Sequence, residues 1–311
     1  MQNSNWIGME MEKEIIKLIE EKGPLTGAEL LAEVSDDPLH ILRSCKLSRD
    51  LSIQIVGTRY LRFDRKIEGY ARLSPSILRE FLTYSIVGLY RDQSALDSRA
   101  KDILSHIEET SRAKSELAFN IISSITNRLE NDLLINEQVC FIIGGDIVFN
   151  MAHDVPRPER STGKLVKGSD MDIVAIVDDD FPERIMKRLD DEIYKEKYNL
   201  LLNPYIKEEI DYIVKKISKV REQVKLDNFN HMVACKILHE GTLLYGSDKI
   251  FHTVKTMLRE NGVTEKMTAM EARARAFRKK AEEYLFCETP GKINEESLNL
   301  FYPAEESEEF E

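Results

Sequence analysis

The chain has 311 residues and a mass of 35.9 kDa, enough for two or three domains. Apolar residues make up 42% and charged residues 32%, so a buried core can form and global disorder is excluded. The formal net charge of −11 excludes a uniformly basic nucleic-acid wrapper, and no apolar run approaches the roughly 18 residues of a membrane span.

The charge is unevenly spread. Glu288 to Glu311 holds eight Glu and one Lys, a net of −7, whereas Pro38 to Arg72 holds eight Lys/Arg and three Asp/Glu, a net of +5. Local sign matters more than the total for a nucleic-acid face. The four cysteines, Cys45, Cys140, Cys235 and Cys287, form no CxxC, so neither a disulfide framework nor a zinc knuckle is expected. Met1 to Gly8 lacks a basic-then-apolar leader pattern. A reducing, cytoplasmic setting is the expectation.

Residues 10–22 place Met11, Ile15, Leu18 and Ile19 on one helical stripe, which Gly23-Pro24 stops. Thr26-Gly-Ala-Glu29 reads as a capping box before a short helix. Asp37-Pro38 starts a third helix, running to about Ser48. Ile53–Val56, Gly57-Thr58 and Arg59–Phe63 then read as two strands around a two-residue turn. Three short helices and a hairpin make a winged-helix-like pattern over residues 1–75. Its third helix carries Arg43, Lys46 and Arg49, and its hairpin carries Arg59, Arg62, Arg65 and Lys66. These residues suit phosphate contacts on DNA or RNA. They equally suit a packing module with a solvated basic face.

Residues 76–135 read as a helical connector, broken near Gly88 and Arg91–Ser94, with a long second helix over about 95–131. From Val139 the texture changes. Val139–Ile143, Asp172–Val177 and about Ile210–Val214 read as strands, and 182–198 as a helix between the last two. Residues 136–220 thus form an α/β core with a mixed sheet. A helical segment follows over 221–287, then an acidic tail over 288–311. The fold class expected is α+β.

Three features in this core carry chemistry. Gly144-Gly145 closes the first strand, and two glycines allow backbone amides to approach a phosphate closely. Asp170 and Asp172 are two apart, which in a strand puts both carboxylates on one face. Adjacent carboxylates repel unless a cation sits between them, and magnesium takes oxygen ligands. Asp211, on the third strand, could complete a two-metal site or accept a proton, and Glu209 shares its strand parity.

The ordered set Ile143-Gly144-Gly145, Asp170-Met171-Asp172-Ile173 and Asp211 resembles the DNA polymerase β-like nucleotidyltransferase superfamily. Glu240-Gly-Thr-Leu-Leu-Tyr-Gly246 is similar to a helix exit and short strand in several small bacterial members. The resemblance covers about residues 138–250. It implies transfer of a nucleoside monophosphate from an NTP to an acceptor with magnesium, two ions being expected and manganese an alternative. It also implies that Asp170, Asp172 and Asp211 hold metal and that Gly144 and Gly145 hold the triphosphate. Ser169 could contact a phosphate or cap the turn, and Lys236 could point at the triphosphate or snorkel from a core.

Two departures stand out. Twenty-four residues separate Gly145 from Asp170, about twice the family's usual gap. They suggest an inserted loop, Asp154 to Lys167, bearing Arg157, Arg160, Lys164 and Lys167. Asp146 also stands where many members carry a small hydroxyl residue. The acceptor stays open among an RNA end, a protein hydroxyl, a nucleotide and a small molecule. The partners expected are an NTP, nucleic acid through the N-terminal module and a second copy of the chain, with no membrane. The competing reading is a winged-helix DNA-binding regulator whose core senses a nucleotide without catalysis.

Overall fold

The computed structural model describes residues 2–288 apart from Glu68, Glu130, Asn131 and Arg160. The acidic tail expected over 288–311 lies outside them, save its first residue. The protein is a mixed α+β chain with several small sheets. It divides into two compact units. Among the described residues, one comprises the chain up to Arg62, Ala71–His106 and Glu271–Glu288; the other comprises Phe63–Tyr70 and Ile107–Met270.

The first unit opens with α1 (Gln2–Lys22), β1 (Leu25–Thr26), α2 (Gly27–Glu33), α3 (Pro38–Leu47) and β2 (Leu51–Ile55). The local signals act as read. The Thr26 hydroxyl accepts from the Glu29 amide at 3.2 Å, and the Glu29 carboxylate accepts from the Thr26 amide at 2.7 Å. Asp37 caps α3 by accepting from the Leu39 amide. Two further strands, β3 (Tyr60–Phe63) and β4 (Ala71–Ser74), pair with each other, and α4 (Ile77–Tyr84) and β5 (Ser85–Leu89) follow. The three-stranded antiparallel sheet runs β1-β5-β2. It packs with Ile15, Leu30, Ile41, Phe81 and Leu285 in one apolar cluster, each buried side chain contributing about 1.5–3 kcal/mol.

Two expectations are corrected here. Residues 76–135 are not helical throughout, because Ser85–Leu89 is the central strand of the first unit's sheet. No breaker separates it from α4. Its β-branched Ile86 and Val87 are wholly buried, and ladders on both edges decide its conformation. Nor do β2 and β3 form a hairpin around Gly57-Thr58. The Val56 amide donates to the Tyr84 carbonyl at 2.9 Å, continuing the alignment along β5, and β3 takes β4 as its partner.

The long helix α5 (Gln93–Arg128) leads to α6 (Asp132–Gln138) and β6 (Val139–Ile143). A single 3-10 turn spans Gly145–Phe149. The expected insertion is a short ribbon of β7 (Pro156–Pro158) and β8 (Leu165–Lys167). Then come β9 (Met171–Val177), α7 (Glu183–Leu202), β10 (Ile210–Lys216), α8 (Ile217–Gln223), α9 (Phe229–Glu240), β11 (Thr242–Gly246), α10 (Asp248–Glu260) and α11 (Val263–Cys287).

The second unit's sheet is mixed, in the order β10-β9-β6-β11. The β10–β9 pair is parallel and the other two pairs are antiparallel. All seven residues of β9 are buried. Its odd-numbered side chains, Met171 to Val177, pack with Ile122 and Ile125 of α5 and Leu189 and Ile193 of α7. Strand alternation therefore sends Asp172 to the opposite face. Among the described residues, no helix is long and apolar enough to cross a membrane.

Candidate metal and nucleotide site

Parallel pairing fixes the acids. Asp211 of β10 stands directly across from Asp172 of β9, so their side chains share one face of the sheet. Asp170 immediately precedes β9. One carboxylate oxygen from each of the three lies within 4.8 Å of the other two. Asp172 is buried, while Asp170 and Asp211 are half-buried.

Arg157 and Lys197 reach this group. The Arg157 guanidinium, on β7, lies 2.9 Å from Glu209 and 3.5 Å from Asp170, and its Nε donates to the Gly168 carbonyl at 2.7 Å. Lys197 of α7 donates to Asp211 at 3.0 Å. Burial, and then the Asp170 carboxylate beside it, push the Glu209 carboxyl up to about 7, while Arg157 limits the rise. Lys114 of α5 bonds the neighbouring Glu208 carboxylate and the Lys167 carbonyl, which ties the entry of β10 to β8. The ribbon's tip is stapled by Glu159. Its carboxylate accepts from the amides and hydroxyls of Ser161 and Thr162 at 2.6–2.8 Å. Against the opposing effect of burial, these bonds bring it down to about 2.

The double glycine has a specific use. Gly145 has φ +68°, and a Cβ there would meet the Asp172 carboxylate at 2.0 Å. The Gly144 amide donates to the Asp172 carbonyl at 3.0 Å, and the Gly145 amide donates to Glu240 at 3.2 Å. Both amides are thus spent on the protein, where the sequence reading has them facing a phosphate. The glycines let Asp172 approach the turn. Lys236 is buried and pairs with Glu240 at 2.9 Å.

Ser169 is buried in the same junction. Its hydroxyl donates to Asp146 at 2.6 Å and accepts from the His153 amide at 3.2 Å. It follows that Asp146, a departure from the family pattern, anchors the loop that delivers Asp170. Tyr245 packs beside Phe119 and Phe141, a core role. Lys215 is buried and donates to Gln223 at 2.8 Å.

The five basic residues expected at a nucleic-acid face separate into two groups. Arg43 donates to the Leu285 and Glu288 carbonyls, closing the end of α11. Arg59 is held by Glu80 and Glu282, and Arg62 is buried. Lys46 and Arg49 are exposed at the end of α3. Arg160 lies outside the described residues.

The sequence reading does not single out Glu240 or Lys197, and it gives Arg157 only a general basic role. The i,i+4 pair Lys236/Glu240 inside an apolar helix was a usable signal for Glu240. Lys197 and Arg157 reach the acids through contacts that no local spacing encodes. A comparison with protein-family models finds no match for this chain, and no curated protein matches it.

Proposed function

We propose that the protein is a magnesium-dependent nucleotidyltransferase, which moves a nucleoside monophosphate from an NTP to an acceptor and releases pyrophosphate. The observation that carries this reading is the in-register pair Asp172/Asp211, with Asp170 completing a group of three carboxylates within 4.8 Å. The donor set is all carboxylate oxygen, which suits hard cations such as magnesium or manganese. Asp170, Asp172 and Asp211 would hold the metal, which supplies charge neutralisation for the triphosphate and a lowered pKa for an attacking hydroxyl. The chain's own part is to fix these acids. Gly145 admits the Asp172 carboxylate, Ser169 and Asp146 pin the loop before Asp170, and Lys197 orients Asp211.

The test is incubation with each labelled NTP, magnesium, total RNA and cell extract, beside an Asp170→Asn/Asp172→Asn variant. Label passing to RNA, protein or a small product only with the intact acids is the expected result. Absence of transfer with every NTP sinks the reading.

One observation favours a second reading. The first unit sets three helices against a β1-β5-β2 sheet, with Lys46 exposed on α3 and Arg49 exposed just beyond it, as a winged-helix DNA-binding regulator requires. That regulator binds duplex without magnesium and loses affinity steeply as salt rises. Duplex binding of this kind, without transfer, moves the assignment to it.

A further inference from the structure

The second unit carries an unusual row of exposed rings. Tyr194, Tyr198 and Leu202 recur every four residues on α7 and are 56%, 44% and 47% exposed. They share one stripe, opposite the buried Leu189, Ile193 and Leu200. The Tyr194 and Tyr198 rings are 6.0 Å apart. Tyr205, in the turn after the helix, is the most exposed of all at 87%.

Lysines flank the row. Lys167 donates from its side chain to the Tyr205 carbonyl at 3.3 Å and from its amide to the Lys207 carbonyl at 2.8 Å. Lys164, Lys167 and Lys207 are all exposed. The same helix also carries Lys197, which reaches Asp211. On the other flank of α7, Glu192 and Glu196 are paired with Arg128, which reduces their repulsion of an anion.

We infer that this stripe binds single-stranded nucleic acid, with bases stacking on Tyr194, Tyr198 and Tyr205 and phosphates paired with Lys164, Lys167 and Lys207. Tyrosine rings stack on any base, and lysines follow the backbone without reading sequence. Four helical residues advance about 6 Å, more than the roughly 3.4 Å step of a stacked strand, so the rings suit a strand whose bases are splayed. That the strand is also the acceptor, its end delivered to Asp211, rests on the transferase reading; the binding surface does not.

The test uses the full chain and a labelled single-stranded oligonucleotide of about twelve nucleotides, within the usual site sizes. Anisotropy reads its binding beside a duplex of the same sequence. Expected is preference for the single strand and a steep fall with salt. Each Tyr→Ala change at 194, 198 or 205 weakens binding roughly 5- to 150-fold, while Tyr→Phe changes keep it. Lys164→Glu/Lys207→Glu weakens binding and flattens the salt slope. These side chains are exposed, so unchanged thermal unfolding of the variants separates lost binding from lost folding.

Wild-type affinity in the triple Tyr→Ala variant overturns the inference, as does absence of strand binding or preference for duplex. The wild-type chain, assayed for both strand binding and transfer, separates the two claims. Strand binding through the tyrosines without any transfer upholds the surface and defeats the transferase. Transfer that continues unchanged in the Tyr→Ala variant upholds the transferase and defeats the acceptor role.

Discussion

Among the described residues, two dense groups of charge are built on opposite plans. In the first unit, Arg59 and Arg278 alternate with Glu80 and Glu282. Arg59 grips Glu80 through two nitrogens at 2.5 and 2.6 Å and reaches Glu282 at 3.0 Å; Arg278 lies 3.0 Å from Glu80 and 2.6 Å from Glu282. Each carboxylate sits between guanidinium groups. In the second unit, the carboxylates of Asp170, Asp172 and Asp211 gather oxygen to oxygen. Alternation makes a fastener joining α4 to α11. Gathering like charges raises the energy of the cation-free fold and lowers it when a cation enters. The two groups should therefore respond in opposite ways to loss of one carboxylate.

The largest contrast is in stability. Glu80→Gln leaves two arginines short of charge in a buried setting and should destabilise the protein by about 3–5 kcal/mol in urea unfolding. Asp172→Asn should leave metal-free stability unchanged or slightly higher, because it relieves repulsion. An equal loss in both variants would break the comparison.

Next is the response to magnesium. At about a hundred times its dissociation constant, a ligand specific to the folded state adds roughly 2.7 kcal/mol. Thermal unfolding of the wild type should rise accordingly on magnesium addition. That of Asp172→Asn should not move, and Glu80→Gln should keep the increment on a lower baseline.

A third, smaller effect concerns Lys215. Burial brings its ammonium from 10.5 down to about 8. A lysine with a lowered folded pKa is penalised while charged. The penalty is therefore full below pH about 8 and is relieved as pH rises towards 10.5. Lys215→Met should remove a rise in stability of about 2 kcal/mol between pH 7 and pH 10. Parallel profiles for the two proteins contradict this account of Lys215.

Smallest is the cap of α2. Thr26→Ala removes one bond of the box and should cost about 1 kcal/mol, read as a shifted urea midpoint with unchanged slope. It touches neither charge group and calibrates the scale for both.

What was legible in the sequence was local. The caps at Thr26 and Asp37 act within three residues of themselves, and the two-residue spacing of Asp170 and Asp172 encodes their shared face. The rest needed partners remote in the chain. Ser85–Leu89 reads as an extension of α4 until β1 and β2 are laid beside it. Arg43 and Arg59 look like part of a basic face until Leu285, Glu80 and Glu282 are brought near, at separations in sequence of 21 residues for Arg59 to Glu80 and 242 for Arg43 to Leu285. Lys197 and Arg157 escaped for the same reason: their roles exist only once α7 and β7 have been folded onto the acids.

The division of the chain has a consequence for biosynthesis. Residues Ile107–Met270 are interposed between parts of the first unit, whose core includes Ala281 and Leu285 of α11. On the ribosome, the stretch that supplies most of the second unit emerges before the first can be completed. Domains generally fold as units during synthesis, so the order of maturation is inverted here: the unit begun first is finished last. Until Arg278 emerges, Glu80 lacks one of its two arginines, and the apolar surface awaiting α11 is exposed to chaperones and proteases.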